Sequence, residues 1–581
     1  MRLMKHTTDK HSFMTRYFAF LQRRSIGDRL IFHTALIFLC ASLFYVVLQA
    51  NTKNLTTVPG SGGTLVEGIV GTPRFVNPVL AITRADHDMV ALIYSGLLKL
   101  DTDGNLVPDL AESITRSEDG RTYNIKIRQN VQFHDGTKLT ARDVAYTIGL
   151  IQNPDLKSPL RGNWEGVLVE ELGEYELNIV LEEAYTPFIE NFTVGILPRE
   201  LWDTLPTEQL PFSQNNTEPI GTGPYYVSDA LRSKSGLINA YKLSAYNGHN
   251  SQPKIDTLVF NFYQTEEELL EALQNNEIAS TPSLSPATLA EVDTTRYNIV
   301  EKPLPRTFSL FLNQNRSSAL RDNAVREALS TAINRDELIA QVLNGYGIPI
   351  MNPVPPGFVV IEPEATQTTQ SPNDARIEQA RSILENGGWN VNEDGVWEKE
   401  IDEETVPLRI TMSTANTSLF DQTATVIQQT WEELGVVVSV DQYEQTDLVQ
   451  AIIRPRSFEV LLFGNDIGRS VDLYPFWHSS QKDDPGLNIA QYTNIDADVF
   501  LETARETEDT AERMAALTSF ATLVENERPA IFLFTPTFSY VVDNNVALSD
   551  LGKLSTPSER FANIETWYMT ADALWPVFNS R

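Results

Sequence analysis

Residues 30–50 (LIFHTALIFLCASLFYVVLQA) carry no charge. At about 1.5 Å of rise per residue such a helix is roughly 30 Å long, the depth of a bilayer core. Past residue 63 the pattern breaks into short periodic pieces. Tyr123, Ile125 and Ile127 alternate with Asn124, Lys126 and Arg128. This predicts a half-buried strand after the turn at Asp119-Gly120, with Val131 and Phe133 continuing the alternation across a hairpin. Thr140-Ala141-Arg142-Asp143 has the form of a capping box, and Val144, Ile148 and Ile151 follow at helical spacing, so a helix starts at Thr140. A second helix is signalled by Ser371-Pro372-Asn373-Asp374, with Gly387 as its stop. A third puts Phe420, Ala424, Ile427, Trp431 and Leu434 on one face and ends at Gly435. It runs into the β-branched strand at 436–440, and another apolar strand is expected at 458–463. The C-terminal half therefore reads as an α/β lobe with a largely covered sheet. No repeat of 20 to 50 residues suggests a solenoid or propeller.

Charge gives the apolar stretch a direction. Lys5, Lys10, Arg16, Arg23, Arg24 and Arg29 precede it and only Lys53 follows closely, which places the N-terminus in the cytoplasm and the body outside. The expected topology is a basic cytoplasmic segment at 1–29, a cell-membrane anchor at 30–50, and a polar linker at 51–62. A cleaved signal peptide is the alternative, but its apolar region is usually only about 7–15 residues long. Cys40, the one cysteine, falls inside the span after Leu39, where a lipoprotein signal needs a small residue, and it excludes intrachain disulfides. The net charge is -32, and residues 51–581 hold 38 basic against 75 acidic groups. Such a surface repels nucleic acid and makes a monomer the simplest expectation. Length allows roughly three to four domain-sized units.

Candidate chemistry is sparse. Asp101, Asp103 and Glu112 have the acid spacing of a calcium loop, yet Leu106 stands where that loop needs glycine, so a turn between strands is expected. His87, His134, His249 and His478 are scattered singly, without a His or Cys neighbour at ligand spacing. Gly221-Thr222-Gly223 lacks the third glycine of a dinucleotide loop, because Tyr226 occupies its place. Neither metal nor cofactor is expected. No nucleophile elbow, zinc-protease or S-x-x-K motif occurs, so no enzyme is expected, and an anchored hydrolase rests only on acid pairs such as Asp466 and Asp472.

Several segments, taken in order, carry a resemblance. They are Gly62-Gly63-Thr64-Leu65, Asn77-Pro78, Tyr94-Ser95-Gly96-Leu97-Leu98, the stretches 106–113 and 133–148, Pro219 through Tyr225, FLNQN at 311–315, 325–339, Gly345-Tyr346-Gly347 and 353–357. Together they resemble the family 5 extracellular solute-binding proteins, which include dipeptide, oligopeptide and nickel binding proteins of ABC importers. The resemblance implies a two-lobed, periplasmic-binding-protein-like α/β fold of type II with an extra subdomain, here preceded by one transmembrane helix. Lobe I would comprise 63–95, 218–308 and 535–581, with 96–217 inserted, and lobe II 309–534. It further implies a peptide-like ligand held between the lobes, with ABC permease and ATPase subunits as partners. A chelated nickel ion, an opine or an oligosaccharide is an alternative cargo; a signalling receptor is an alternative role for the same scaffold.

The resemblance also directs attention to particular residues. Asn77 and Asn313 lie in its cleft-edge and hinge segments, where each either lines the site or caps a turn. Tyr225 is expected near a crossing between lobes. The peptide-binding branch carries an aspartate for the ligand's amino terminus in a Gly-Trp-x-x-Asp-Tyr segment. When Asp472 and Phe476 are matched to the later acidic and aromatic positions, Arg469 falls where that aspartate belongs, leaving Asp466 as a displaced substitute. Arg469 suits an anionic ligand group, or else pairs with Asp466 or Asp472 at the surface. Phe463, Phe476 and Trp477 form either an apolar floor for the ligand or core.

Overall fold

The computed structural model describes residues 25–54, 56–358, 373–507 and 509–574. Most of the basic N-terminal segment, the helix signal at Ser371-Pro372 and the last seven residues therefore lie outside the described residues. Two compact units divide the chain, Met1–Gly60 with Thr570–Arg581, and Ser61–Met569.

In the first unit one helix, Ile26–Asn54, contains the apolar stretch. Its segment Ile26–Val47 has a mean hydropathy of 2.3 and is long and apolar enough to cross a membrane. Cys40 is exposed on it. Residues expected as polar linker have regular structure: 51–54 continue the helix, and Thr56–Pro59 pairs antiparallel with Ala571–Leu574. No glycine or proline interrupts the helix there, and the following strand finds a partner from the far end of the chain.

In the second unit a twelve-stranded mixed sheet runs through the segments that the resemblance assigns to lobe I and lobe II, which keep those names below. Its lobe II part runs Val437–Tyr443, Arg409–Ala415, Val460–Asp466 and Arg306–Leu312. Its lobe I part contains Ser280–Thr281, Thr64–Val70, Thr257–Tyr263, Ile238–Ala245 and Tyr225–Arg232. The long strand Ala530–Asp543 joins them. It pairs with Arg306–Leu312 up to Phe534 and with Tyr297–Pro303 from Thr537 onward. Residues 303–306 and 534–537 are thus the places where the long strand changes partners.

Local signals explain much of this. Thr140 is an N-cap, and its reciprocal bonds with Asp143 start the helix Ala141–Gln152. The helix Ser418–Leu434 buries Ala424, Ile427, Trp431 and Leu434 and stops at Gly435, whose φ of 99° favours glycine. It connects Arg409–Ala415 to the parallel strand Val437–Tyr443, completing a βαβ unit. The helix Asn373–Asn386 likewise ends just before Gly387.

The hairpin expected through Val131 and Phe133 is corrected. Thr122–Ile127 pairs instead with Ala111–Arg116 and Glu176–Val180 in a separate antiparallel sheet. Val131 and Phe133 are buried, but the chain closes on itself there, with the Phe133 amide bonding to the Thr137 carbonyl and the Leu139 amide to the Val131 carbonyl. Alternating burial does not specify which backbone partner is taken.

That antiparallel sheet, inside 96–217, shares one hydrophobic core with lobe I, since Tyr123, Ile125 and Leu177 cluster with Leu65, Ile69 and Leu92. Lobe II buries residues on both sides of its sheet, around Trp431 on one and Trp477 on the other. Two segments of lobe I, around Ile93 and Gly221, approach each other closely because one of them carries glycine. A Cβ at Gly221 would lie 2.1 Å from the Ile93 carbonyl oxygen. Gly221→Ala is therefore expected to cost roughly 1–3 kcal/mol or more by overpacking, measured as a fall in the denaturation midpoint of the full chain.

Candidate functional site between the lobes

The loop after the strand Val460–Asp466 leaves lobe II and reaches lobe I. Gly468 has φ 78° and Val471 φ 51°. A buried β-branched residue in the left-handed region costs on the order of 1–3 kcal/mol, and such strain concentrates at clamps and switches. The turn directs Arg469 across the gap. Its guanidinium donates to the carbonyls of Gly104 (3.2 Å) and Lys553 (3.0 Å) and forms an ion pair with Glu559. Both partners expected for it from sequence are otherwise engaged. Asp466 meets Arg306 Nε at 2.9 Å, both half-exposed, a contact worth at most about 1 kcal/mol. Asp472 is buried against Arg505 Nε (3.5 Å) and accepts from Tyr185 Oη at 3.1 Å. Tyr185 lies in the stretch 96–217, so Asp472, like Arg469, bridges segments far apart in the chain. The Arg505 guanidinium lies over the rings of Tyr185 (4.7 Å) and Tyr474 (4.4 Å).

Beneath Arg469 lies a cavity of about 460 Å³. Lobe I and its insertion supply most of the wall, including Tyr94, Leu98, Trp164, Val194 and Phe561, while Gly468 and Arg469 come from lobe II. A second cavity of about 510 Å³, with Tyr185 and Arg505 in its wall, adjoins the first at Asn163, Glu190 and Asn191. Volumes in this range suit small organic ligands.

The first cavity is rich in ionisable groups. Lys99 Nζ meets Glu565 at 2.6 Å. Burial pushes the Asp109 carboxyl up, against the pull of nearby His249 and Lys99 and the Ser95 hydroxyl. Burial raises Glu190 to about 7, although Arg469 and a hydrogen bond from the Ser470 amide oppose the shift. Glu559 is also raised by burial despite Arg469, and accepts from the Ser555 amide at 2.6 Å. Desolvation lowers His87, keeping its imidazole neutral near pH 7. Among the described residues no group of three His, Cys, Asp or Glu side chains is placed to hold a metal ion.

The other residues singled out from sequence lie around these cavities rather than in them. Asn77 is buried; its Nδ2 donates to Asn216 Oδ1 (3.1 Å) and its Oδ1 accepts from the Val79 amide (2.9 Å), fixing the turn that carries Pro78 to the first cavity. Asn313 donates to the Arg456 carbonyl at 3.0 Å and accepts from the Asn315 amide. Phe463 stacks on Phe420 with an interplanar angle of 9°. Phe476 packs on the lobe II core, and Trp477 is inside it, 5.8 Å from Phe532 and 6.1 Å from Phe311 between ring centroids. Tyr225 is buried and donates to the Ile255 carbonyl within lobe I. Asp101 accepts the amides of Asp103 and Asn105, closing the turn expected between Leu98–Leu100 and Leu106–Pro108.

Comparison with known proteins agrees with this architecture. The family model described as bacterial extracellular solute-binding proteins, family 5 Middle, matches residues 105–485, well over half of the chain. The chain belongs to this family. Among family 5 relatives, it is 26% identical to the oligopeptide-binding protein AppA of Bacillus subtilis (strain 168) over 555 residues, 92% of this chain and 96% of that protein. The solved structure of AppA in complex with a nonapeptide aligns with a TM-score of 0.64, covering 88% of this chain and all of that one at 26% identity. NikZ from Campylobacter jejuni in complex with Ni(L-His) aligns with a TM-score of 0.63 at 24% identity, covering 87% of this chain and 99% of that one. The two-lobed α/β fold is that of family 5. The matched relatives are solute-binding proteins rather than enzymes.

The residues that sequence reasoning missed are Lys99, Asp109, Tyr185, Glu190, Arg505, Glu559 and Glu565. Asp109 sits within one of the segments that carried the resemblance, and that was a usable signal. Glu190 and Glu559 had none, because they meet only through folding across 369 positions.

Proposed function

We propose that this chain is the substrate-binding component of an ABC importer, anchored to the outer face of the cell membrane by residues 26–47, which captures a peptide-like ligand between its lobes and delivers it to a permease. The observation that carries the reading is the reach of Arg469 from lobe II onto Glu559 and two carbonyls of lobe I, directly above a ligand-sized cavity. Such a latch makes closure responsive to what fills the gap, and closure is the signal a permease can read. The chain crossings at 303–306 and 534–537 support the lobe boundaries implied by sequence, with 96–217 as an insertion sharing lobe I's core. The peptide complex of AppA supports peptide-like cargo. An anchored binder meets its permease at raised effective concentration.

Native mass spectrometry and calorimetry of the full chain in detergent micelles, offered a peptide library beside sugars, opines and nickel chelates, test the cargo. Peptides are expected to bind; retention of only the other classes refutes the reading. Protease added to intact cells is expected to digest the body while sparing a membrane-bound N-terminal fragment.

A further inference from the structure

The cavity beneath Arg469 holds more carboxylates than the cations around it satisfy. Four acidic residues line it, Asp109, Glu190, Glu559 and Glu565, with two permanent cations, Lys99 and Arg469. Both cations are committed, Lys99 to Glu565 at 2.6 Å and Arg469 to Glu559. Among the described residues neither Asp109 nor Glu190 has an ion-pair partner, and Asp109 is only 7% exposed. A second observation is independent of charge. Ser555 lines the same cavity and is 8% exposed, yet its buried Oγ has no hydrogen-bond partner among the described residues. Buried hydroxyls are normally satisfied, so an orphaned one in a cavity wall marks a place for a ligand's polar group. Leu98, Trp164, Val194 and Phe561 provide apolar walls against which a methylene stem can lie.

Resting on the reading of the chain as a binder of peptide-like ligands, we propose that the cavity selects ligands bearing an ammonium or guanidinium group on an aliphatic stem, beyond a peptide's own amino terminus, with Asp109 and Glu190 as its counter-charges and the Ser555 hydroxyl as an additional acceptor. Both carboxylates come from lobe I and its insertion, whereas Gly468 and Arg469 of lobe II form the cover. A cation placed between them favours their ionised forms, so binding draws a proton from Glu190, which burial raises to about 7; burial pushes Asp109 in the same direction. Glu190, pushed up to about 7, is flanked by Arg469, Glu559 and Arg513; Asp109 faces His249, Lys99 and Glu565. Raising the pH from 5.5 to 8 ionises Glu190 and strengthens attraction for a cation whose own charge does not change over that range.

The test is calorimetry of the full chain in detergent with trilysine, trialanine, triaspartate and the diamine putrescine, repeated on Asp109→Asn, Glu190→Gln and Ser555→Ala. Trilysine is expected to bind at least tenfold more tightly than trialanine, and triaspartate most weakly. Asp109→Asn and Glu190→Gln should each weaken trilysine at least tenfold and trialanine by a much smaller factor, so that the preference for trilysine shrinks; Ser555→Ala should weaken trilysine less. Wild-type protein alone gives a second measurement that needs no variant to fold. The trilysine binding heat should differ between buffers of low and high ionisation enthalpy, by an amount reporting proton release. Trialanine binding as tightly as trilysine, with both carboxamide variants unchanged, overturns the inference and leaves peptide capture intact. Putrescine bound in an Asp109-dependent way, with no peptide bound at all, supports the cation site and refutes peptide cargo. Failure of every basic probe to bind overturns the inference.

Discussion

Arg560→Met is expected to lower the unfolding free energy by about 3–5 kcal/mol, the cost of removing one member of a buried ion cluster. Arg560 is 1% exposed and forms a two-pronged pair with Asp88, both contacts 2.8 Å, while also meeting Glu67 at 2.5 Å. Burial alone would depress the guanidinium, but Asp88 and Glu67 outweigh it and raise its pKa. Glu67 in turn accepts from Tyr540 Oη (2.7 Å) and Ser280 Oγ (3.0 Å). Methionine fills much of the same space yet leaves Glu67 and Asp88 buried without their cation. Two carboxyls left buried without their partner are the source of the deficit. Urea titration followed by tryptophan fluorescence measures it, with Trp567 6.0 Å from Tyr540 in the same region. A loss below about 1 kcal/mol at pH 8 would show that the cluster is dispensable. The cluster also matters to the cavity, since Arg560 ties the segment bearing Glu559 to the helix Arg84–Ile93 and the strand Thr64–Val70.

Arg469→Ala should weaken ligand binding at least tenfold, about 1.4 kcal/mol, whatever charge the ligand carries. The side chain makes three contacts across the gap, and its removal strands the largely buried carboxylate of Glu559. Opening becomes less costly, and a ligand that requires closure loses affinity in proportion to the fraction of closed molecules. Arg469→Lys keeps the charge but not the planar fork that reaches two carbonyls and a carboxylate together, so it should recover only part of the loss. Calorimetry with a bound peptide, paired with small-angle scattering of the same samples, separates a closure defect from lost ligand contact. Unchanged affinity with an unchanged scattering profile would return Arg469 to the role of a surface pair.

The two variants illustrate how differently residues announce themselves. Arg469 is conspicuous in the sequence, because a basic residue stands where an aspartate is expected, but the sequence leaves it between an anionic ligand group and a pair with the neighbouring acids Asp466 or Asp472. Proximity in sequence favoured them. The loop geometry at Gly468 and Val471 turns the side chain away from both and toward a residue ninety positions distant. Arg560 carried no sequence signal at all, since a single arginine next to a phenylalanine is ordinary on a surface. Trp477 shows the converse ambiguity: an aromatic near a strand end fits floor or core equally, and only its ring neighbours decide for core.

What the sequence determined by itself is local and periodic. The capping box at Thr140, the stop at Gly435, the βαβ unit it punctuates and the apolar helix at the N-terminus all follow from interactions among residues a few positions apart. The ordered run of family segments determined the two-lobed architecture as well. Tertiary structure alone decided that Val131 and Phe133 close a loop rather than pair as a strand, that Thr56–Pro59 finds a partner near the C-terminus, and that carboxylates from positions 109, 190, 559 and 565 face one cavity. The physical reason is common to these cases. Hydrogen bonding and burial are satisfied by whichever group the fold brings within a few ångströms, and for distant positions no periodicity in the chain encodes which group that is.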